Sequence, residues 1–525
     1  MSSSADVAAA TTAFDPDRVT ADSFPHATSE LRCLETHISW VFLTGHYAYK
    51  VKKPVQLDYL DFSTLERRRY FCHRELTLNH RLAPELYVDV VPIGGAADAP
   101  RFGDYPALDY AVRMRQFHDD SRLDRLLDAG RFDDAMADQL GDTVARLHAA
   151  AATVPENTRY GSVNAIVVPL IDNFRALRAT LGKNLSDRLA EQCRHDIALA
   201  RRLRPRFRQR RRHGSVRDCH GDLHLANLVC RNERIVPFDR LEFDPALRWI
   251  DVFNEAAFPF MDLASRRRPD LAFGYLNRYL ERTGDYVGLT VLPVYAAYKA
   301  LIRAKIAAAT AVPDGHHLDS LLSTAKRLSR PVARRLILMH GLSCSGKSSV
   351  AAELMRGLPA IRLRADVERK RRAGLAAAAR SGSAVAAGLY TESQTVANYR
   401  HLADLAATVL TAGYDVIVDA TFLRRAERRR FIGLATVHGV AARILVCEAP
   451  LAALRSRIDA RADGHRSVSE ADREVLEWQL TRREPLNGRE RRIATVVDTS
   501  VAQSRTALLS AASGDADELR SHRAE

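Results

Sequence analysis

The stretch Gly341-Leu-Ser-Cys-Ser-Gly346-Lys347-Ser348 fits the spacing GxxxxGK[ST] in full. It follows an apolar run, RLILMH at 335–340, and opens an amphipathic stretch over 347–355. A buried strand that enters a glycine turn and then a helix is half of a βαβ unit. It commits the chain around it to a parallel sheet covered on both faces. The region downstream agrees, with apolar runs at 415–419 (DVIVD), 442–447 (ARILVC) and 494–498 (ATVVD) separated by helical segments. The glycines let several backbone N–H groups converge in front of the helix's positive end, a geometry that suits a phosphate. Gly341, Ser343, Cys344, Ser345, Gly346, Lys347, Ser348 and Ser349 therefore form a candidate ATP cradle. Lys347 is placed for the β- and γ-phosphates and Ser348 for Mg²⁺.

Three further features of this region carry chemistry. Asp419 ends the strand DVIVD, where a carboxylate either supports Mg²⁺ or caps the next helix. Asp366 and Arg369 stand three apart in RADVERK. There a carboxylate can accept a proton from an acceptor hydroxyl while the arginine steadies it; the alternative is a capped helix start. Arg457 and Arg461 share one helix face ahead of the polar stretch 462–469 and fit either a lid over phosphates or a solvated basic face. Residues 334 to about 500 resemble the small P-loop kinases, which include gluconate- and shikimate-type kinases, zeta-toxin-like kinases and polynucleotide 5′-kinases. Asp366 with Arg369 is most similar to the last two groups, and that resemblance implies that Asp366 is the base.

The first 120 residues read differently. Runs at 38–43, 47–55, 86–93 and 109–117 predict strands, and 63–82 predicts one helix. From 119 to about 310 the pattern is mainly helical, with long apolar periodicities at 133–150 and 173–203. Within it lies His220-Gly221-Asp222-Leu-His224-Leu-Ala-Asn227, followed by Phe238-Asp239-Arg-Leu-Glu242. A kinase needs a carboxylate facing the acceptor hydroxyl, an Asn five residues on, and a second Asp past a short hairpin to hold the metal. Asp222, Asn227 and Asp239 have this order and spacing. Lys50 lies in the second predicted strand and Glu75 in the helix that follows, as a phosphate-orienting pair requires. Lys52 shares the strand parity of Lys50 and competes for the role, whereas Lys53 has the opposite parity. Residues 113–117 (RMRQF) fit a hinge.

Residues 30–310 resemble the aminoglycoside phosphotransferase and choline-kinase-like branch of the protein-kinase-like fold. That resemblance implies Asp222 as base, Asn227 and Asp239 as Mg²⁺ ligands, and Lys50 with Glu75 on the phosphates. No GxGxxG loop precedes Lys50, a departure from the protein-kinase pattern. His220 and His224 are expected to brace the loop. The acidic residues Glu242, Asp244, Asp251, Glu255 and Asp262 are either an acceptor pocket or structural. The whole chain is similar to bacterial fusions described as bifunctional aminoglycoside phosphotransferase/ATP-binding proteins.

The expected architecture is thus a bilobal α+β kinase-like domain followed by an α/β P-loop domain. The expected boundaries are a disordered terminus over 1–15, the kinase-like domain over 16–310, a linker over 311–333, the P-loop domain over 334–510 and a tail over 511–525. The formal net charge of +14 suits phosphate-bearing ligands, but Arg is spread along the whole chain, and only the run at 201–212 is dense. Nucleic acid is accordingly a secondary expectation, ahead of which stands a small hydroxylated acceptor. The seven scattered cysteines form no CxxC pair and suggest neither zinc nor disulfides. No signal segment or run of about 18 apolar residues is present, so a cytoplasmic location away from membranes is expected. The competing readings are a P-loop ATPase or kinase regulated by a non-catalytic kinase-like domain, and a 5′-hydroxyl polynucleotide kinase acting through Asp366.

Overall fold

Alternation in the first 120 residues builds a six-stranded antiparallel sheet in the order β1-β2-β3-β6-β4-β5. Its strands are β1 (Arg32–Glu35), β2 (Ser39–Leu43), β3 (Tyr47–Lys52), β4 (Tyr87–Ala96), β5 (Ala99–Phe102) and β6 (Asp109–Arg115), with helix α1 (Leu65–His80) between β3 and β4. The computed structural model describes residues 14–57, 60–181, 183–309, 315–377, 379, 388–462 and 472–513. Its contacts divide the chain into two units. One comprises Met1–Asp133, Arg146–Ile166 and Arg208–Pro259; the other comprises Asp134–Ala145, Val167–Phe207 and Phe260–Glu525.

In the first unit the two faces of β3 part company. Tyr49 and Val51 join Phe42, Ile93 and Phe102 in an aromatic-rich core, while Ala48 turns to the face covered by α1. Helix α1 is capped by Thr64, which accepts from the Arg67 N–H at 3.3 Å. It buries Arg68 against Asp109, at 2.9 and 3.0 Å. Two more Arg68 bonds reach the carbonyls of Phe62 and Ser63, so the buried charge is fully met. Phe14 is buried in the aromatic core, edge-on to Trp40, Phe42 and Phe102. Phe14 and Asp15, within the stretch expected to be disordered, are thus part of the fold, because one apolar ring fills a core position; residues 1–13 lie outside the described residues. Strands β7 (Val216–Asp218), β8 (Leu228–Arg231), β9 (Arg234–Pro237) and β10 (Trp249–Asp251) form two small antiparallel pairs, β8–β9 and β7–β10.

The helical middle of the chain contains α2 (Asp134–Ala150), α3 (Val163–Thr180), α4 (Lys183–Arg202), α5 (Arg204–Arg212), α6 (Val252–Ser265), α7 (Pro269–Thr283), α8 (Leu292–Ala308) and α9 (Gly315–Leu328). The single helical stretch expected at 173–203 is two helices, and the first starts ten residues earlier with Pro169 inside it. Proline lacks a donor and disfavours helix interiors, so sequence periodicity alone places the start too late. The stretch 311–333, expected to be a linker, carries α9, whose Leu318, Leu321 and Ala325 are buried as it packs on α8. Two arginines of the dense basic run are spent on internal contacts, while the other six are exposed. Arg210 is buried against Asp251 at 2.7 and 2.8 Å, and Arg211 donates to the carbonyls of Tyr160, Glu156 and Thr158.

The second unit holds a five-stranded, all-parallel sheet in the order β12-β13-β11-β14-β15. The strands are β11 (Arg335–His340), β12 (Ala360–Arg364), β13 (Asp415–Asp419), β14 (Ala441–Glu448) and β15 (Ala494–Asp498). The interleaved helices are α10 (Lys347–Gly357), α11 (Ala365–Arg372), α12 (Glu392–Thr411), α13 (Arg425–Val437), α14 (Leu451–Ala462), α15 (Arg473–Arg482) and α16 (Arg505–Ser513). Leu508 and Ala512 of α16 are buried in the sheet's core with Ile337, Met339 and Leu354. The P-loop domain thus runs past residue 510, and only 514–525 of the expected tail lie outside the described residues. Among the described residues no helix is long and apolar enough to cross a membrane.

One buried carboxyl makes the fold pH-sensitive. Asp196 of α4 is fully buried and meets the Gln192 amide at 2.8 and 2.9 Å. Burial pushes its pKa up to about 7, against smaller opposing contributions from Gln192, Ser329 and Arg330. The raised value means the folded state holds a proton that the unfolded chain gives up, so stability is lost as pH rises toward 7. Asp196→Asn is expected to stabilise the protein. Its gain over wild type in chemical denaturation should grow between pH 5 and 7, by at most ~1.4 kcal/mol per pH unit, and level off above.

Candidate active sites

In the first unit, β7 delivers the loop His220-Gly221-Asp222. Gly221 sits at φ +95°, and a Cβ there would lie 2.9 Å from the Leu247 carbonyl oxygen, so only glycine lets the loop pass. The Asn227 amide donates to the Asp222 carbonyl at 2.9 Å and lies 3.4 Å from its carboxylate. This folds the segment back so that both side chains address one place. His220 Nε2 bonds the Phe238 carbonyl at 2.8 Å, and the Asp222 N–H lies 3.4 Å from its Nδ1. Burial lowers the His220 pKa, which keeps the ring neutral and able to serve both bonds. His224 Nε2 stands 3.4 Å from the Asp222 carboxylate. The expected bracing by both histidines matches these contacts.

After the β8–β9 hairpin the chain turns at Asp239, held at φ +63° with its N–H on the Tyr87 hydroxyl at 3.0 Å. The Asp239 carboxylate pairs with Lys50. Lys50 also lies 3.0 Å from Glu75, the fully buried carboxylate of α1. Lys52 is close by but differently engaged: it is 1% exposed, lies 2.7 Å from Glu75 and pairs with Glu242. Burial would raise the Glu75 pKa, but Lys50 and Lys52 together hold it below the usual carboxylate range. Burial would lower the Lys50 pKa, yet Asp239 and Glu75 raise it, so the ammonium stays charged. Lys50 thus joins the helix carboxylate to the post-hairpin carboxylate, whereas Lys52 is consumed between two buried acids.

At the far end of β6, the Gln116 side chain accepts from the Gly45 N–H at 2.9 Å. The β1–β2 connection is a tight turn in which the Thr36 N–H and hydroxyl both reach the Ser39 carbonyl, at 2.9 and 3.0 Å, and it contains no glycine. The acidic residues downstream are mostly employed. Glu242 meets Lys52, Asp251 meets Arg210, and Asp244 caps the turn Pro245–Leu247. Glu255 was not anticipated by the motif: it accepts from the Gly221 N–H at 2.7 Å and from His148 Nε2 at 3.0 Å. With Cys219 these two side chains lie within 4.8 Å of one another. Since both Glu255 oxygens are engaged, the trio works as a brace on the loop.

In the second unit the cradle follows β11. Gly341 takes φ +147°, Gly346 +81° and Cys344 +62°. A Cβ on Gly341 would come within 2.5 Å of the Cys447 carbonyl oxygen, which excludes any other residue. Ser348 Oγ donates to Asp419 Oδ1 at 3.1 Å. Asp419 Oδ2 and Ser345 Oγ are buried without a hydrogen-bond partner. A hydroxyl beside a half-satisfied buried carboxylate is an oxygen donor set that fits a hard divalent cation such as Mg²⁺. Lys347 donates to the Leu342 carbonyl, and burial lowers its pKa. The P-loop, Asp419 and Asp366 all lie at the carboxyl ends of adjacent strands β11, β13 and β12, the crevice where open α/β sheets bind ligands.

Asp366 sits in the first turn of α11, 3.5 Å from Arg369, whose guanidinium lies 4.5 Å from the centre of the Tyr390 ring. Arg457 is tied to the cradle's own frame, donating to the Cys344 carbonyl at 3.2 Å and to the Thr499 carbonyl at 2.5 Å. The side chain of Arg461 and residues 463–471 lie outside the described residues. Two contributors escaped sequence reasoning because each is remote in the chain or lacks a motif. Gln479 of α15 accepts from the Ser343 N–H at 2.7 Å and donates to its hydroxyl at 2.9 Å. His340, next to Gly341, bonds the Phe422 carbonyl at 3.1 Å. Burial, with help from the nearby Arg483 and Arg428, pushes its pKa down to about 4.

Comparisons with known proteins bear on the two domains. Residues 64–283 match the model of the Phosphotransferase enzyme family, and residues 336–486 match that of an AAA domain. The uncharacterized protein Rv2004c of Mycobacterium tuberculosis is 30% identical over 452 residues, covering 82% of this chain and 86% of that protein. The chain belongs to the family of that protein, and in this chain a phosphotransferase domain precedes a P-loop kinase domain. Its fold is accordingly a protein-kinase-like domain followed by a P-loop domain with a parallel sheet, and it is an enzyme of the kinase class. Among solved structures, a choline/ethanolamine kinase family protein from Mesorhizobium loti covers 57% of this chain and 88% of its own, at 14% identity and a TM-score of 0.35. A gluconokinase from Sinorhizobium meliloti covers 37% of this chain and 100% of its own, at 19% identity and a TM-score of 0.25.

The unequal surroundings of the two lysines give opposite expectations. Lys52→Ala leaves Glu242 in the interior without its lysine, although Glu75 keeps Lys50, and should cost about 3–5 kcal/mol of stability in denaturant titration. Lys50→Ala leaves Glu75 paired with Lys52 and removes only the link to the half-exposed Asp239, so it should cost less than half as much.

Proposed function

We propose that the chain is an ATP-dependent phosphotransferase with two separate nucleotide sites, each moving the γ-phosphoryl group to a hydroxyl of a small molecule. The observation that carries the reading is the junction of Lys50 with both Glu75 and Asp239, which assembles the kinase set around the Asp222–Asn227 loop. In that site Lys50 orients the α- and β-phosphates, Asn227 and Asp239 hold Mg²⁺, and Asp222 takes the proton from the acceptor hydroxyl. In the P-loop site the backbone of 341–349 and Lys347 cradle the phosphates, Ser348 and Asp419 hold Mg²⁺, and Asp366 steadied by Arg369 is the base. Mg²⁺ supplies neutralisation of charge on the transferring group in both sites. Arg457 serves the same end indirectly, by fixing the cradle through Cys344 and Thr499, and Arg461, four residues on in the sequence, is the second candidate for that role.

A second reading, in which the first site binds nucleotide without turnover, is favoured by the glycine-free Thr36–Ser39 turn at the place where a kinase covers the phosphates. Arg210 and Arg211 of the basic run are spent on internal contacts and give no support to a polynucleotide acceptor.

Phosphate on product, followed by mass over a pool of sugars, polyols, aminoglycosides and 5′-hydroxyl oligonucleotides, separates these readings. Asp222→Ala and Lys347→Ala should each remove a different product, by about 10²-fold or more. If Lys347→Ala alone abolishes all transfer, the first site is a binding module and the two-kinase reading fails.

A further inference from the structure

Strand β12 is the edge of the parallel sheet, and an edge leaves backbone groups that must find partners. Helix α7 supplies them from outside the AAA match. Asn277 is buried; its amide nitrogen donates to the Ala360 carbonyl at 2.9 Å and its oxygen accepts from the Arg362 N–H at 2.7 Å. One side chain thereby takes the place of a neighbouring strand. A turn later, Glu281 accepts from Arg364 at 2.8 Å, and its backbone carbonyl accepts from Arg371 of α11. Past the end of α7, the buried Tyr286 donates its hydroxyl to Glu368 Oε1 at 3.1 Å. Glu368 is itself fully buried and is also met by Arg371 and by His401 at 3.3 Å.

These grips converge on α11, the eight-residue helix that presents Asp366 and Arg369. Glu368 lies two residues from Asp366, about 200° around the helix, so a bond at Glu368 fixes the roll that sets where Asp366 faces. The P-loop and Asp419 are held by other contacts: Ser348 to Asp419, Gln479 to Ser343, and Arg457 to Cys344.

We infer that Tyr286 is a positioning residue for the acceptor side of the P-loop site, acting through Glu368 on the orientation of α11. The inference rests on the reading of Asp366 as the base. It makes residues 277–286, which lie outside the 336–486 match, part of that site's working structure. Chemically, the Tyr286 hydroxyl donates and Glu368 accepts. No proton is transferred, and the bond serves only to hold α11 in register with the cradle.

The test uses the full chain carrying Asp222→Ala, so that only the P-loop site consumes ATP, with water as acceptor and ADP release measured against Mg·ATP concentration. Tyr286→Phe keeps the buried ring and removes one bond to a charged group. It should lower kcat about tenfold while KM for ATP stays within about twofold. Glu281→Gln should lower kcat in the same direction. If kcat is unchanged in Tyr286→Phe, or if KM for ATP rises in step with the loss of kcat, the inference is overturned. Asp366→Asn in the same background separates the two claims. If it abolishes turnover while Tyr286→Phe has no effect, the positioning claim alone fails. If Asp366→Asn is silent, the base assignment fails and the inference falls with it.

Discussion

Burying an ammonium group costs several kcal/mol unless carboxylates meet it, and the kinase-like site is organised around that constraint. Lys50 and Lys52 enter the interior from one face of β3, and three carboxylates from two separate segments converge on them: Glu75 from α1, and Asp239 and Glu242 from beyond the β8–β9 hairpin. The buried Glu75 and Glu242 could not be accommodated without the lysines, nor the lysines without them. The network therefore ties the sheet, the helix and the segment after the hairpin into one arrangement. It also divides the labour between two residues of equal strand parity. Lys52 satisfies the interior, which frees Lys50 to reach the edge where Asp239 stands. The P-loop lysine is built differently. Lys347 is buried against a carbonyl, and its pKa is lowered by desolvation, which suits a cation whose counter-charge is a phosphate.

How much of this was legible in the sequence depended on whether the deciding contact was local. The cradle was, because GxxxxGK[ST] after an apolar strand encodes its own backbone: Gly341 and Gly346 occupy positive φ, and the following helix is in place. The Asp222–Asn227–Asp239 set was equally legible, since its spacing encodes a loop and a hairpin. The choice between Lys50 and Lys52 was not, because parity puts both on one face and only the distant Glu242 distinguishes them. Gln479 was invisible for the same reason, and so was the partner of Glu255, each meeting a loop residue more than thirty positions away. The acidic residues after the motif looked like a pocket, but an acid is as readily a partner for a buried arginine, as Asp251 is for Arg210.

Domain boundaries were harder still. A Pro-Asp-Gly turn suggested a linker where α9 packs its Leu318, Leu321 and Ala325 face, and Pro169 hid the start of α3. The more consequential surprise is α7. Its amphipathic pattern marks it as a core helix of the phosphotransferase segment, yet its Asn277 completes the edge of the other domain's sheet. A polar side chain that pairs two backbone groups leaves no periodic trace, so no reading of the sequence could assign it.

The central claim is that one chain holds two independent nucleotide sites, and counting bound nucleotide tests it most directly. Calorimetric titration with the non-hydrolysable β,γ-imido analogue of ATP and Mg²⁺ should give two equivalents per wild-type chain and one in Lys347→Ala, with the remaining equivalent lost when Asp239→Asn is added. A single equivalent in the wild type, abolished by Lys347→Ala, would contradict the account and leave the kinase-like domain without a nucleotide.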